Sequence, residues 1–203
     1  ASKGLADETL ALAREAVPGC KVAAYPMQLK DPDQVEAVCN QAIAEFGEIT
    51  AAVNNAATLK NGAAVLMSRE DWNEVIAVDL SGPFFVDRSF LMHMLSNRKG
   101  RLIHISSIAA GGSSGQVNYA AAKAGLEGRS GTLAKEYGPK GITSNIVTVG
   151  YVPTDMTKDH MSQKLQAFWL EHCPAHRVGT PDEVAAMVHF LCTDQAGFIS
   201  GEN

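Results

Sequence analysis

The chain has little to offer several large function classes. No apolar run approaches the roughly 18 residues that a membrane span requires. Positive charge is in deficit, with 17 lysines and arginines against 22 acidic residues and a net charge of −5, which argues against a general nucleic-acid binder while leaving room for a small basic patch. The opening ASKGLADE has neither the apolar core of a signal peptide nor the arginine-rich character of a transit peptide. The four cysteines, Cys20, Cys39, Cys173 and Cys192, are scattered and show no metal-type pairing. Three lie in apolar stretches, so reduced, buried thiols of a cytoplasmic protein are expected. His172, Cys173 and His176 are the nearest thing to a metal cluster, but Pro174 interrupts any regular helix between the histidines and no second ligand pair is near, so no metal is expected. Repeats, low-complexity tracts and linkers are missing too, and 203 residues suffice for one domain spanning 1–203 with a sizeable core.

What the chain does contain is an alternation of helical and strand-like stretches. Residues 6–16 read as a helix and 20–27, CKVAAYPM, as a short buried strand. Asp31-Pro32-Asp33-Gln34 supplies an N-cap, a proline at the first helical position and an amide three residues on, followed by Val35, Val38, Cys39, Ala42, Ile43 and Phe46 at helical spacing. Ile49 to Val53 is the next strand, ending in Asn54-Asn55. A long helical pattern runs from Ser68 to about Asn97 and is expected to break at Ser81-Gly82-Pro83. Arg101 to Ser106 and Ile142 to Val149 are strands on either side of a helix over 117–138. No clear period marks 151–179, and Thr180-Pro181-Asp182-Glu183 is a second capping signal before a last helix. Near-continuous apolar strands alternating with helices indicate an α/β fold around a parallel sheet. Ligands bind such sheets beyond the carboxyl ends of the strands, and the polar candidates Asn54, Asn55, Ser106, Ser107 and Gly150 to Thr154 all fall there.

The most informative stretch is 105–123, ISSIAAGGSSGQVNYAAAK: a strand ending in two serines, a glycine-rich loop, and a helix opening with Tyr119 and carrying Lys123 one turn later. Residues i and i+4 share a helix face, so phenol and ammonium point into one space. A phenol titrating near ~10 is a poor proton carrier at neutral pH. A cation about one turn away is expected to lower that value and give a group able to pass a proton. A serine hydroxyl and the phenol can both hydrogen-bond one carbonyl oxygen as it becomes alkoxide. With no carboxylate pair or metal cluster alongside, the trio suits interconversion of a ketone and an alcohol, the hydride coming from a cofactor.

Five segments then occur in order: VNNAA (53–57), DLSG (79–82), ISS with YAAAK, GYVPTDMT (150–157) and PAHRVGTPDEVA (174–185). On these the sequence resembles the short-chain dehydrogenase/reductase family, and within it is most similar to the 3-oxoacyl-acyl-carrier-protein reductases, over essentially the whole chain. The resemblance implies a doubly wound, Rossmann-like sheet. It implies Tyr119 as catalytic acid/base, Lys123 as the residue that tunes it and binds the nicotinamide ribose, and Ser107 as the group orienting the carbonyl, with Ser106 the alternative because the serine-to-tyrosine interval is one residue short. Asp79 stands where the family has the asparagine of its proton relay, and an acid there is expected to alter both the relay and the local pKa. Asn55, Ala56 and Ala57 would line the ribose side of the cofactor, Val152 and Thr154 the carboxamide and phosphate end, and Gln28 and Leu29 the adenine. Ala57 replaces a usual glycine, Val149 a usual proline, and Gln28 a common aspartate.

The resemblance also implies a first strand, glycine-rich turn and helix ahead of Ala1, roughly one sixth of a usual chain, and a last strand after Asn203. Ser2 and Lys3 fall where the adenosine ribose is read, and small polar or basic residues there favour NADP(H) over NAD(H). Arg98 and Lys140 stand where similar reductases dock an acidic acyl carrier protein, although a solvated basic rim explains such residues as well. The small residues Ala124, Gly125, Gly128 and Gly131 permit close helix packing, and the resemblance implies a homodimer or homotetramer built on that helix and the long one before it. The expected activity is NADPH-dependent reduction of a 3-oxoacyl thioester, with 151–179 covering the substrate. The alternatives are a dehydrogenase of a sugar, steroid or other secondary alcohol, or a non-catalytic subunit.

Overall fold

Three runs of β-branched and small residues pair side by side because the helices between them return the chain to the same end of the sheet. The computed structural model describes residues 3–154 and 163–203. Among these, β1 (Ala51–Asn54), β2 (Gly100–Ser107) and β3 (Ile142–Val149) form one parallel sheet in the order β1-β2-β3. The register pairs Asn54 with His104 and Ser107 with Val149, so the carboxyl ends of the strands share one edge.

The helices are α1 (Lys3–Ala16), α2 (Pro32–Phe46), α3 (Arg69–Ile76), α4 (Gly82–Asn97), α5 (Val117–Tyr137), α6 (Gln163–His172) and α7 (Pro181–Cys192). α4 and α5 cover one face of the sheet and α7 the other, with α2 packed outside α4. Alternation along β2 serves both layers. Leu102 joins Leu91, Met94, Leu133 and Ile142 under α4 and α5, whereas Ile103 packs with Leu191 and Ala196 on the α7 side. Both predicted caps form. Asp31 accepts from the Asp33 and Gln34 N–H groups, and Thr180 and Glu183 close a reciprocal capping box.

Four expectations are corrected. Residues 20–27 form no strand: they run without ladder hydrogen bonds, and their side chains are half-buried to exposed. A strand needs a neighbour for its N–H and C=O groups, and no strand lies beside this segment among the described residues. It is tied instead through side chains, Lys21 to the Glu45 carbonyl and Tyr25 Oη to Glu45 Oε2 at 2.5 Å. The helix over 68–97 does not break at Pro83. α3 passes into α4 through a π turn, Ala77–Ser81, in which the Gly82 N–H bonds the Ala77 carbonyl. The widened register lets proline enter where no N–H is required. Gly82 itself sits so close to the preceding segment that a Cβ would come within 2.8 Å of Leu29 Cβ. The 151–179 stretch contains the helix α6, while residues 155–162, including part of GYVPTDMT, lie outside the described residues. Of the cysteines, all free, only Cys39 is buried.

Beneath the carboxyl edge lies a polar network with no local sequence signature. Asp87 of α4 accepts from Arg129 Nη1 at 2.7 Å and from Asn54 Nδ2 at 2.8 Å. His104 Nδ1 lies 2.9 Å from Arg129 Nη2 and 3.2 Å from Asn54 Nδ2. Burial, with Arg129 and Lys123 nearby, pushes His104 down to about 3, so the ring is neutral and Nδ1 accepts from these donors. Its Nε2 is then free to donate to Ser144 Oγ at 3.3 Å. The network joins α4, α5, β1, β2 and β3 through one ion pair. Asp87→Ala strands a largely buried guanidinium and is expected to lower unfolding free energy by about 3–5 kcal/mol, read from urea denaturation.

Candidate active site

The glycine-bearing loop after β2 carries the chain to the start of α5, and a buried side chain fixes that start. Asn118 is fully buried. Its Nδ2 lies within hydrogen-bond reach of the Lys60 carbonyl, Met67 Sδ and the Asp71 carbonyl, and its Oδ1 accepts the Tyr119 N–H at 2.8 Å. The first turn of α5 is thereby tied to α3 and the loop before it. Tyr119 and Lys123 then line one cavity of about 760 Å³ together with Ser107, Asn55, Ala57, Gly150, Val152 and Thr154, at the carboxyl edge of the sheet.

Strand alternation separates the two serines. Ser106 is buried and donates to the Lys123 carbonyl at 3.4 Å, whereas Ser107 is half-exposed and its Oγ accepts the Ala109 N–H at 3.2 Å. The Ser107 hydroxyl acts on the Tyr119 phenol in the direction that favours the ionised form. Lys123 Nζ donates to the Ile105 carbonyl at 3.0 Å, lies 3.9 Å from Asp79 Oδ2, and sits 5.5 Å from the centroid of the Tyr119 ring. Asp79 is fully buried on the π turn, where its Oδ1 accepts the Thr58 N–H at 2.8 Å. Asp79 and Thr58 therefore tie the turn to the loop after β1.

The electrostatics differ from expectation in one respect. Tyr119 lies above its ordinary value, first because it is buried and then because of the Asp79 carboxylate, with Ser107 opposing. The ammonium predicted to lower it is directed at the Ile105 carbonyl and Asp79. Burial lowers Lys123 itself, and Asp79 counters that shift. Asp79 is pushed up to about 6 by burial, against the pull of Lys123 and the Thr58 N–H.

These observations can be set beside known proteins. A family model described as Enoyl-(Acyl carrier protein) reductase matches residues 3–203. The 3-oxoacyl-acyl-carrier-protein reductase FabG of Escherichia coli (strain K12) is 41% identical over 177 residues, covering 87% of this chain and 72% of that protein. The FabG proteins of Chlamydia muridarum and Thermotoga maritima are 40% and 35% identical over 185 and 196 residues, covering 91% and 96% of this chain and 74% and 79% of theirs.

The chain belongs to the short-chain dehydrogenase/reductase family. As a short-chain dehydrogenase/reductase it is an oxidoreductase working between ketone and alcohol, and its fold is the α/β parallel sheet of that family.

The cavity gathers Ser106, Ser107, Tyr119, Lys123, Asn55, Ala57, Val152 and Thr154 but not every residue that sequence reasoning named. Gln28 is exposed in the turn before α2, accepting the Asp31 N–H at 3.0 Å. Leu29 packs on Gly82, and Ala56 is exposed away from the lining. Ser2 lies outside the described residues. Arg98 and Lys140 do come together, Arg98 Nη2 reaching the Pro139 carbonyl at 3.4 Å. They sit at the amino ends of β2 and β3, however, across the whole sheet from Ser107. Asn118 was missed; an amide directly before the tyrosine was its one available signal.

The two serines make a direct test. Ser107→Ala is expected to lower kcat about 10²-fold or more, the usual cost of losing a hydrogen-bond donor to a developing oxyanion. Ser106→Ala should stay within a few-fold of the parent, and steady-state kinetics of both variants decides between them.

Proposed function

We propose that this protein reduces 3-oxoacyl thioesters to 3-hydroxyacyl thioesters with NADPH. The observation that carries the reading is the convergence of the Ser107 hydroxyl, the Tyr119 phenol and the Lys123 ammonium in one cavity at the carboxyl edge of a parallel sheet. The same cavity suits the nicotinamide half of the cofactor. Small Ala57 and Gly150 leave its floor open, while Asn55, Thr154 and Lys123 bring polar groups to its wall. When bound, the nicotinamide supplies the hydride. Tyr119, resting protonated, gives its proton to the carbonyl oxygen, and Ser107 hydrogen-bonds that oxygen as negative charge gathers on it. Lys123 holds the first turns of α5 against the end of β2 and keeps a positive charge beside the phenol. Asn118 keeps Tyr119 in register.

The thioester class is supported by the names of the relatives, all 3-oxoacyl-acyl-carrier-protein reductases at 35–41% identity. The preference for NADPH rests on Ser2 and Lys3. Carrier-protein docking through Arg98 and Lys140 is part of the reading, in an oligomer. α5 exposes Ala121, Ala124 and Gly128, and α4 exposes Phe84 and Met92. These small and apolar surfaces suit a homodimer or homotetramer contact. Antiparallel pairing of two α5 helices would bring one subunit's Arg98 and Lys140 alongside the other's catalytic edge.

Tyr119→Phe is expected to reduce turnover of a 3-oxoacyl thioester by at least about 10²-fold while NADPH binding, followed by fluorescence, stays measurable. Undiminished turnover would sink the mechanism. A panel of 3-oxoacyl thioesters, enoyl thioesters, sugars and steroids separates this reading from the other ketone–alcohol and enoyl substrates. Arg98→Glu should weaken reaction with a carrier-protein thioester and spare a small free thioester. Equal loss on both would remove docking from the proposal.

A further inference from the structure

Asp79 is the group at this site whose chemistry the reductase reading leaves unexplained. Its carboxylate is fully buried, yet Oδ2 takes no hydrogen bond from any protein group. An unpaired buried carboxylate oxygen is costly, and what faces it is the Lys123 ammonium at 3.9 Å. That ammonium is itself buried and lies against the Tyr119 ring. The local count is one cation, one anion and one phenol. Ionising the phenol would set two anions beside one cation in a poorly solvated pocket.

Other charged groups on the packed elements do not alter the count. On α3, Arg69 and Glu70 are exposed, while Asp71 and Glu74 are engaged with Ser68 and Lys30. On α4, Asp87 is held by Arg129 and Arg88 is exposed. On α5, Arg129 is paired with Asp87, so that the two together add no net charge although Arg129 also lowers Lys123, and Glu127 is exposed; on β2, His104 is held neutral. The loop carrying Thr58 brings only Lys60, also exposed.

We propose that Asp79 is a positioning residue that keeps Tyr119 in its protonated, proton-donating form, by neutralising the Lys123 charge that would otherwise call for a phenolate. The consequence for turnover rests on the reductase reading; the protonation state of the phenol does not. The direction agrees with the electrostatics, since Asp79 follows burial as the second cause raising Tyr119. Lys123 and the Thr58 N–H oppose the burial that raises Asp79, and so favour its carboxylate form.

The test is a pH titration of phenolate absorbance, taking the Tyr119 signal as the difference between each protein and its Tyr119→Phe counterpart. In Asp79→Asn the Tyr119 midpoint is expected to fall by about 1–3 units, the usual effect of removing a close like charge. Asp79→Ser, which removes the same charge with a smaller side chain, should agree and stands in if the amide variant does not fold. An unchanged or raised midpoint in a folded variant overturns the proposal, as does a Tyr119 signal that appears only on alkaline unfolding in parent and variants alike. The second readout is the alkaline limb of kcat/KM for reduction, which should move down in step with the phenol. A midpoint that falls in a protein reducing no ketone sinks the reductase reading and leaves the role of Asp79 standing.

Discussion

A lysine ammonium held inside the protein is the constraint around which the site is arranged. Lys123 is 3% exposed, and a charge so placed requires compensation from fixed groups. The compensation comes from two elements: the carbonyl of Ile105, at the end of β2, and the carboxylate of Asp79, on the π turn between α3 and α4. Each partner must be where it is for the ammonium to remain charged, so the end of the strand, the first turns of α5 and the π turn are mutually fixed. Ser107 follows two residues after Ile105 on the same face of β2, and Tyr119 precedes Lys123 by one helical turn. The three groups that can act on a carbonyl are therefore placed by the conditions that make one buried charge tolerable.

The wider fold supplies what that arrangement cannot supply for itself. Parallel pairing with β3 brings Gly150 and Val152 to the same edge as Ser107, and Asn55 follows the end of β1 there. α4 and α5 are locked beneath that edge by Asp87, Arg129, His104 and Asn54, whose polar atoms largely satisfy one another. Such a network tolerates little rearrangement, because each lost partner leaves a buried donor or acceptor unmatched. Apolar clusters on the two faces of the sheet, one around Met94 and Leu102 and the other around Ile103 and Leu191, hold the layers themselves.

Features set by local chemistry were legible in the sequence. The caps at Asp31 and Thr180, the helix from Val117 and the strand from Ile142 depend on residues within a turn or two of one another, and all are observed. The pairing of Tyr119 with Lys123 was readable because helical spacing is fixed. Residues 20–27 failed because strand formation requires a neighbour that no property of those residues supplies. The π turn was hidden because proline usually signals a break, and its accommodation depends on the register of the preceding helix. Gln28 and Leu29 were assigned to the adenine by resemblance, and they lie in the turn before α2. Alternation bears on the two serines as well: Ser106 shares a face with buried His104 and, although it also borders the cavity, gives its hydroxyl to the Lys123 carbonyl, whereas Ser107 is half-exposed. Asp87, Arg129 and His104 come from three elements far apart in the chain, and only the folded structure joins them.

The distribution of unsatisfied groups separates the working part of the molecule from its support. Among the described residues, the buried side-chain atoms that no protein group hydrogen-bonds are Asp79 Oδ2 and Arg129 Nε. Both lie along the line where the π turn and α4 meet α5, and each belongs to a side chain whose other polar atoms are engaged. For Arg129 the shortfall is small, because both terminal nitrogens have partners and the ion pair with Asp87 carries the charge. For Asp79 it is larger, since the unpaired atom bears the charge and its compensation stands beyond hydrogen-bond distance. A carboxylate used only to hold a helix in place would gain more from direct contact, as Asp87 does. Asp79 instead leaves its charge facing the lysine and the phenol, where it acts on their protonation more than on the packing of α5.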